Sequence, residues 1–132
     1  KRHKTKTSNR YFNYIYVRMG AHTLIHKRTE DDIWKNLFEL PLVETEKDLS
    51  EEEFLACPQF HALFAEGEVR MVRTLLRGVK HVLSHRVIYT NFYEVTLPDN
   101  SSSFSSYQRV AVEDLGRYAV PRLIHAFLEK YV

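Results

Sequence analysis

The sequence predicts a mixed α/β (α+β) domain, a mixed β-sheet flanked by helices. Three observations carry this. Residues 11–19 and 87–97 are dense in aromatic and β-branched side chains, the composition of strands. Between them Ser50, with Glu53 three positions on, has the spacing of a capping box and opens a helix. At the C-terminus Leu123, Ile124, Phe127, Leu128 and Tyr131 fall on one helical stripe. Strands before and after a helix, closed by another helix, argue a sheet with helices packed against it.

In chain order, residues 11–19 form a first strand, Gly20-Ala21 a turn and residues 22–28 a second strand, together an opening hairpin. Thr29-Glu30-Asp31-Asp32 is a polar loop. Residues 34–43 are an irregular apolar stretch closed by Leu40-Pro41-Leu42. The Ser50 helix ends at Pro58, which starts a second turn through Ala65, because proline is tolerated at a first helical position. Gly67 closes that turn. Residues 69–83 fit strand and helix alike. Residues 87–97 are apolar on both faces, which predicts a strand interior to a sheet. Pro98-Asp99-Asn100 is a turn and 101–106 a flexible loop. Residues 109–112 read as a short last strand, 113–117 as a helical turn, and Pro121 as the start of the terminal helix.

A length of 132 residues fits one domain with a real core. No run of about 18 apolar residues exists, so no helical membrane span is expected. The polar, basic start has no apolar signal-peptide core. Cys57 is the single cysteine, which excludes a disulfide framework, a Cys-rich zinc site and an iron–sulfur cluster ligated within this chain. These features predict a reducing, intracellular setting. The net charge of +2 is uneven: residues 1–10 hold five Lys and Arg and no acid, leaving 14 bases against 17 acids elsewhere. Residues 1–10 therefore read as a basic linker tail and 11–132 as the domain. The start in Lys-Arg-His rather than Met suggests a piece of a longer protein. Within the domain, Arg70, Arg73, Arg77, Lys80 and Arg86 follow one another with no acid between Val69 and Tyr89. Such a stretch argues for nucleic acid only where something beside it can read a base.

The usual catalytic patterns are missing. His22 and His26, and His81 and His85, are four apart, but no Glu lies between the second pair as a zinc-protease helix requires. No metal site is expected. Ser84 and His85 are adjacent, so on a strand they point to opposite faces and cannot pair as nucleophile and base. No G-x-S-x-G elbow and no phosphate-cradling glycine loop occurs. Glu51, Glu52 and Glu53 are consecutive and complement a helix N-terminus rather than converge on one site.

The opening strands, then Trp34-Lys35-Asn36-Leu37-Phe38-Glu39-Leu40-Pro41, then an acidic helix, resemble the Nudix fold. The signature of that superfamily, G-x5-E-x7-R-E-U-x-E-E-x-G-U, is degenerate here: no Gly lies between Gly20 and Gly67, and no Arg-Glu pair precedes the helical acids. The carboxylate array that holds metal for diphosphate hydrolysis is therefore missing. The stretch Val79-Lys80-His81-Val82-Leu83-Ser84-His85-Arg86-Val87 resembles the His-x-Phe-Ser/Thr-His loop in the C-terminal domain of A/G-specific adenine DNA glycosylases of the MutY type. Leu115-Gly116-Arg117-Tyr118-Ala119-Val120-Pro121 is similar to the pattern before that family's last helix. Leu83 stands where the family often has Phe.

The resemblance implies a lesion-recognition domain for 8-oxoguanine opposite a misincorporated adenine. Excision would belong to an N-terminal helix-hairpin-helix domain of the same polypeptide, which carries a 4Fe–4S cluster. The implied partners are that domain and double-stranded DNA containing 8-oxoguanine:adenine. The implied state is a monomer, cytoplasmic and nucleoid-associated, with no membrane, and no cofactor or catalytic residue in this chain. The alternatives are a divergent Nudix nucleotide pyrophosphohydrolase and a non-catalytic nucleotide- or protein-binding module. Oxidation at carbon 8 of guanine turns the N7 acceptor into an N–H donor and adds a carbonyl beside it. A serine hydroxyl answers both, which marks Ser84 as the reader. Leu83 would supply an apolar contact at the base pair. His81, His85, Lys80 and Arg86 would hold the loop or touch phosphate.

Overall fold

The computed structural model describes residues 8–132, in eleven elements. They are β1 (Ser8–Arg18), β2 (His22–Lys27), β3 (Phe38–Glu39), β4 (Leu42–Thr45), α1 (Glu51–Ala56), α2 (Pro58–His61), β5 (Met71–Leu83), β6 (Arg86–Thr96), β7 (Gln108–Ala111), a 3₁₀ turn (Val112–Arg117) and α3 (Arg122–Tyr131). A four-stranded sheet has the order β4-β1-β6-β5, with β1 and β6 parallel and the outer pairs antiparallel. A three-stranded sheet has the order β3-β2-β7. A mixed four-stranded sheet with few helices bears out the expected fold class. Among the described residues no helix is long and apolar enough to cross a membrane.

The central strands are apolar on both faces because each face meets its own core. On one face Phe12, Tyr14, Ile88 and Phe92 pack with Ile25 and Val110 of the second sheet and with Ile124 and Phe127 of α3. On the other, Ile15, Val17, Tyr93 and Val95 lie under Phe54 and Phe60 of the two short helices. The helix starts as its sequence dictates: the Glu53 N–H donates to Ser50 Oγ, and the Ser50 N–H donates to Glu53 Oε1.

Four expectations need correction. The expected opening hairpin is a corner: past the single bridge Met19–His22, β2 leaves β1 and pairs with β7 and β3 in the other sheet. Gly20 makes the corner at φ 60°, where a Cβ would stand 2.8 Å from Asp99 Oδ1. Second, the tail boundary moves. Residues 1–7 lie outside the described residues, but Ser8, Asn9 and Arg10 already belong to β1, in register with Arg86, Val87 and Ile88 of β6. Third, residues 71–83 are strand. The register with β6 slips between Thr74 and Val79, and Gly78 at φ 70° donates its N–H to Asn91 Oδ1 at 2.8 Å. This bulge switches which residues face inward, so Val72 joins the second core while Leu76, Val79 and Leu83 join the first. Neither a period of two nor of 3.6 fits across it. Fourth, the serine loop is anchored. The hydroxyls of Ser101, Ser102 and Ser103 all donate to the Glu68 carboxylate, and those of Ser101 and Ser103 lower its pKa to about 2.

Candidate functional site

The tip between β5 and β6 is a two-residue turn made of Ser84 and His85, closed by Leu83 opposite Arg86. Both turn residues are exposed, and neither takes a positive φ. Leu83 is half-buried against the first core. The His85 carbonyl accepts the Ser8 N–H at 3.1 Å, which ties the tip to the start of β1. Leu83, Ser84, His85 and Arg86 line an open cleft of about 550 Å³, with Asp31, Asp32 and Ile33 on its far wall. The structure thus brings four of the six expected site residues to one cleft. The other two stand apart. Lys80 is exposed, on the sheet face opposite to Leu83. The His81 ring lies 5.9 Å from that of Trp34, inclined at 64°.

Asp32 organises the far wall. Its Oδ1 accepts from Arg10 Nη1 at 2.8 Å and Arg86 Nη1 at 3.2 Å. Its Oδ2 accepts from Arg10 Nη2 and Arg28 Nη2, both at 2.9 Å. The Arg10 hydrogen bond foremost, then the Ile33 N–H and the charges of Arg10 and Arg28, hold the carboxyl well below the usual carboxylate range. Arg10 also grips Glu44, and its guanidinium pKa is raised first by that bond and then by Asp32. Sequence reasoning missed this network. Arg10 falls in the basic stretch that reads as a linker tail, and Asp32 lies 22 and 54 positions from Arg10 and Arg86. The one local signal was the four-residue spacing of Arg28 and Asp32.

The network makes stability acid-sensitive with a definite sign. A folded-state pKa below the unfolded value of about 3.9 stabilises fully above that pH, and the contribution is lost as pH falls toward the folded value. Asp32→Asn is therefore expected to be less stable than the unchanged protein at pH 6, with the gap closing below about pH 4. Urea unfolding at pH 6 and well below pH 4 checks this; a gap constant across that range would remove Asp32 ionisation from the account.

Two of the three acids of α1 are occupied elsewhere. Glu53 caps its helix, which lowers its pKa through the Ser50 N–H, and Glu51 accepts from the Thr74 hydroxyl of β5. His26 Nε2 stands 2.9 Å from Glu39 Oε2. Among the described residues no cluster of three His, Cys, Asp or Glu side chains is placed to hold a metal ion.

A sheet of this topology, with short helices over one face and a terminal helix on the other, defines a class. The chain belongs to the NUDIX domain family, whose model matches residues 13–130. Among solved structures, it is similar to the C-terminal domain of mouse MUTYH in complex with human PCNA, at TM-score 0.69 and 14% identity, covering 92% of this chain and 86% of that one. It is also similar to the MutT protein of Methanosarcina mazei Go1, at TM-score 0.60 and 17% identity, covering 96% and 95%. The E. coli ORF135 protein follows at TM-score 0.59 and 14% identity, covering 93% and 88%. At these identities the likeness is one of fold. No curated protein matches the chain in sequence.

Proposed function

We propose that this chain is the lesion-recognition domain of an adenine DNA glycosylase, reading 8-oxoguanine opposite adenine in double-stranded DNA. The observation that carries the proposal is the exposed Ser84–His85 tip, a hydroxyl at the end of a hairpin with an apolar residue beside it. A two-residue turn is slim enough to approach a base edge. In this reading Ser84 Oγ accepts from N7–H and donates to the carbon-8 carbonyl, and Leu83 gives the apolar contact. Lys80 meets phosphate, while His81, His85 and Arg86 hold the tip. Adenine excision belongs to an N-terminal helix-hairpin-helix domain of the same polypeptide, with its 4Fe–4S cluster, since Cys57 alone cannot ligate one. The protein acts as a monomer in the cytoplasm, at the nucleoid.

Ser84→Ala in the full-length protein tests this. The preference for adenine opposite 8-oxoguanine over adenine opposite guanine should fall about three- to tenfold, the size of a lost neutral hydrogen bond of 0.5–1.5 kcal/mol. Single-turnover excision on the two duplexes at one salt concentration measures it. An unchanged ratio in a folded variant removes Ser84 as the reader. Magnesium-dependent release of pyrophosphate from nucleoside triphosphates by this chain would favour a hydrolase instead.

A further inference from the structure

We infer that residues 29–37, through Asp32 and Trp34, form the positioning element for the Ser84 tip, an inference that rests on the function proposed above. A hairpin that ends in two exposed residues, with one leg at the sheet edge, has little of its own to fix its end. Here both legs are held by one loop. On the β6 leg, Arg86 directly follows the turn and donates to Asp32. On the β5 leg, the His81 ring meets Trp34. The His85 carbonyl, held by Ser8, is the third tether.

The loop itself is under strain and tightly over-determined. Trp34 has φ 59° and Asn36 φ 73°, the left-handed region, which a bulky residue such as Trp rarely occupies. Several bonds hold it there. The Asn36 N–H donates to the Arg28 carbonyl at 2.6 Å, and the Arg28 N–H to the Leu37 carbonyl at 2.8 Å. Arg28 Nε donates to the Ile33 carbonyl at 3.0 Å. The Trp34 ring stands edge-on to Phe12 at 6.0 Å, which seats it on the core. Strain retained in this way costs stability, and the geometry it secures is contact with the two legs of the tip. Arg86 thereby acts as a positioning residue: part of its charge is already answered by Asp32 and is less available to a phosphate.

The test uses the full-length protein and a two-residue cycle, read as the excision ratio between the 8-oxoguanine:adenine and guanine:adenine duplexes. Asp32→Asn should lower the ratio about three- to tenfold while Ser84 is present, and by less than about 1.5-fold in a Ser84→Ala background. A merely structural role would instead lower the active fraction on both duplexes and leave the ratio alone. Arg86→Lys keeps the charge but loses the planar fork, and should also lower the ratio, with an unchanged salt dependence. That variant carries the test if Asp32→Asn does not fold. If Ser84→Ala lowers the ratio but Asp32→Asn and Arg86→Lys do not, the positioning inference falls alone. Equal losses from Asp32→Asn in both backgrounds also overturn it. If Ser84→Ala itself has no effect, the lesion-reading function falls.

Discussion

Replacing Glu39 with alanine is expected to cost about 3–5 kcal/mol, the penalty for stranding one partner of a buried ion pair. Glu39 is 2% exposed and gathers three groups. Its Oε1 accepts from the Tyr14 hydroxyl at 2.7 Å and from Arg28 Nη1 at 3.0 Å, and its Oε2 faces His26 Nε2 at 2.9 Å. Burial, then the Glu39 charge, pushes the Tyr14 hydroxyl pKa well above its ordinary value, so that group stays protonated and donates. Alanine leaves a phenol and a guanidinium short of acceptors inside the protein. For a domain of this size the loss corresponds to roughly 12–20 °C in Tm. Thermal melting measures it, and a drop of only a few degrees would mean that water enters and answers both groups. Glu39→Gln, which still accepts from Tyr14 but carries no charge, should fall between.

Phe127→Ala is expected to cost a similar amount, about 3–5 kcal/mol, for a different reason. The ring is 2% exposed and lies nearly parallel to Phe92, with centroids 4.1 Å apart and planes 4° from each other. The rings of Tyr16 and Tyr131 also lie near it, at 6.1 and 5.2 Å. Urea unfolding reads the loss; Tyr131→Ala, at the less buried end of the same stripe, should cost less than half as much. Equal costs would mean that α3 is held by its end and not by this stack.

These two residues mark what could be read from the chain and what could not. Phe127 belongs to a stripe whose members sit three and four positions apart, so periodicity alone places it in the core. The α1 cap is equally local, with both of its hydrogen bonds spanning three residues. Residues 87–97 announced an interior strand because both faces are apolar, and the expected mixed sheet follows from such segments. Glu39 was hidden within an apolar run, and its significance depends on Tyr14, 25 positions earlier. The ambiguity of 69–83 had a physical source in the bulge at Gly78, which changes the phase of the strand midway. The serine loop misled by composition: serines suit mobile segments, and nothing nearby in sequence showed that Glu68 would collect them. For the candidate site, the Leu83–Arg86 stretch stands out by its motif, whereas Asp32 on the wall opposite is held by Arg10 of β1, by Arg28 just past β2 and by Arg86 itself, which are scattered along the chain.

The parallel pairing of β1 with β6 sets the order in which this molecule can assemble. Every rung of that ladder joins residues 78 positions apart, from Ser8 with Arg86 to Arg18 with Thr96. The β5–β6 hairpin needs only its own turn and can form early, within microseconds. β1, although first in the chain, has one lasting neighbour on each side and must wait for both β4 and β6. Its aromatic faces stay uncovered until then, and the long loop closure falls in the slow step. During synthesis β1 thus waits for a partner made 78 residues later. Until α3 has emerged with Ile124 and Phe127, Phe12, Tyr14 and Tyr16 remain a sticky surface that other proteins in the cell must be kept from.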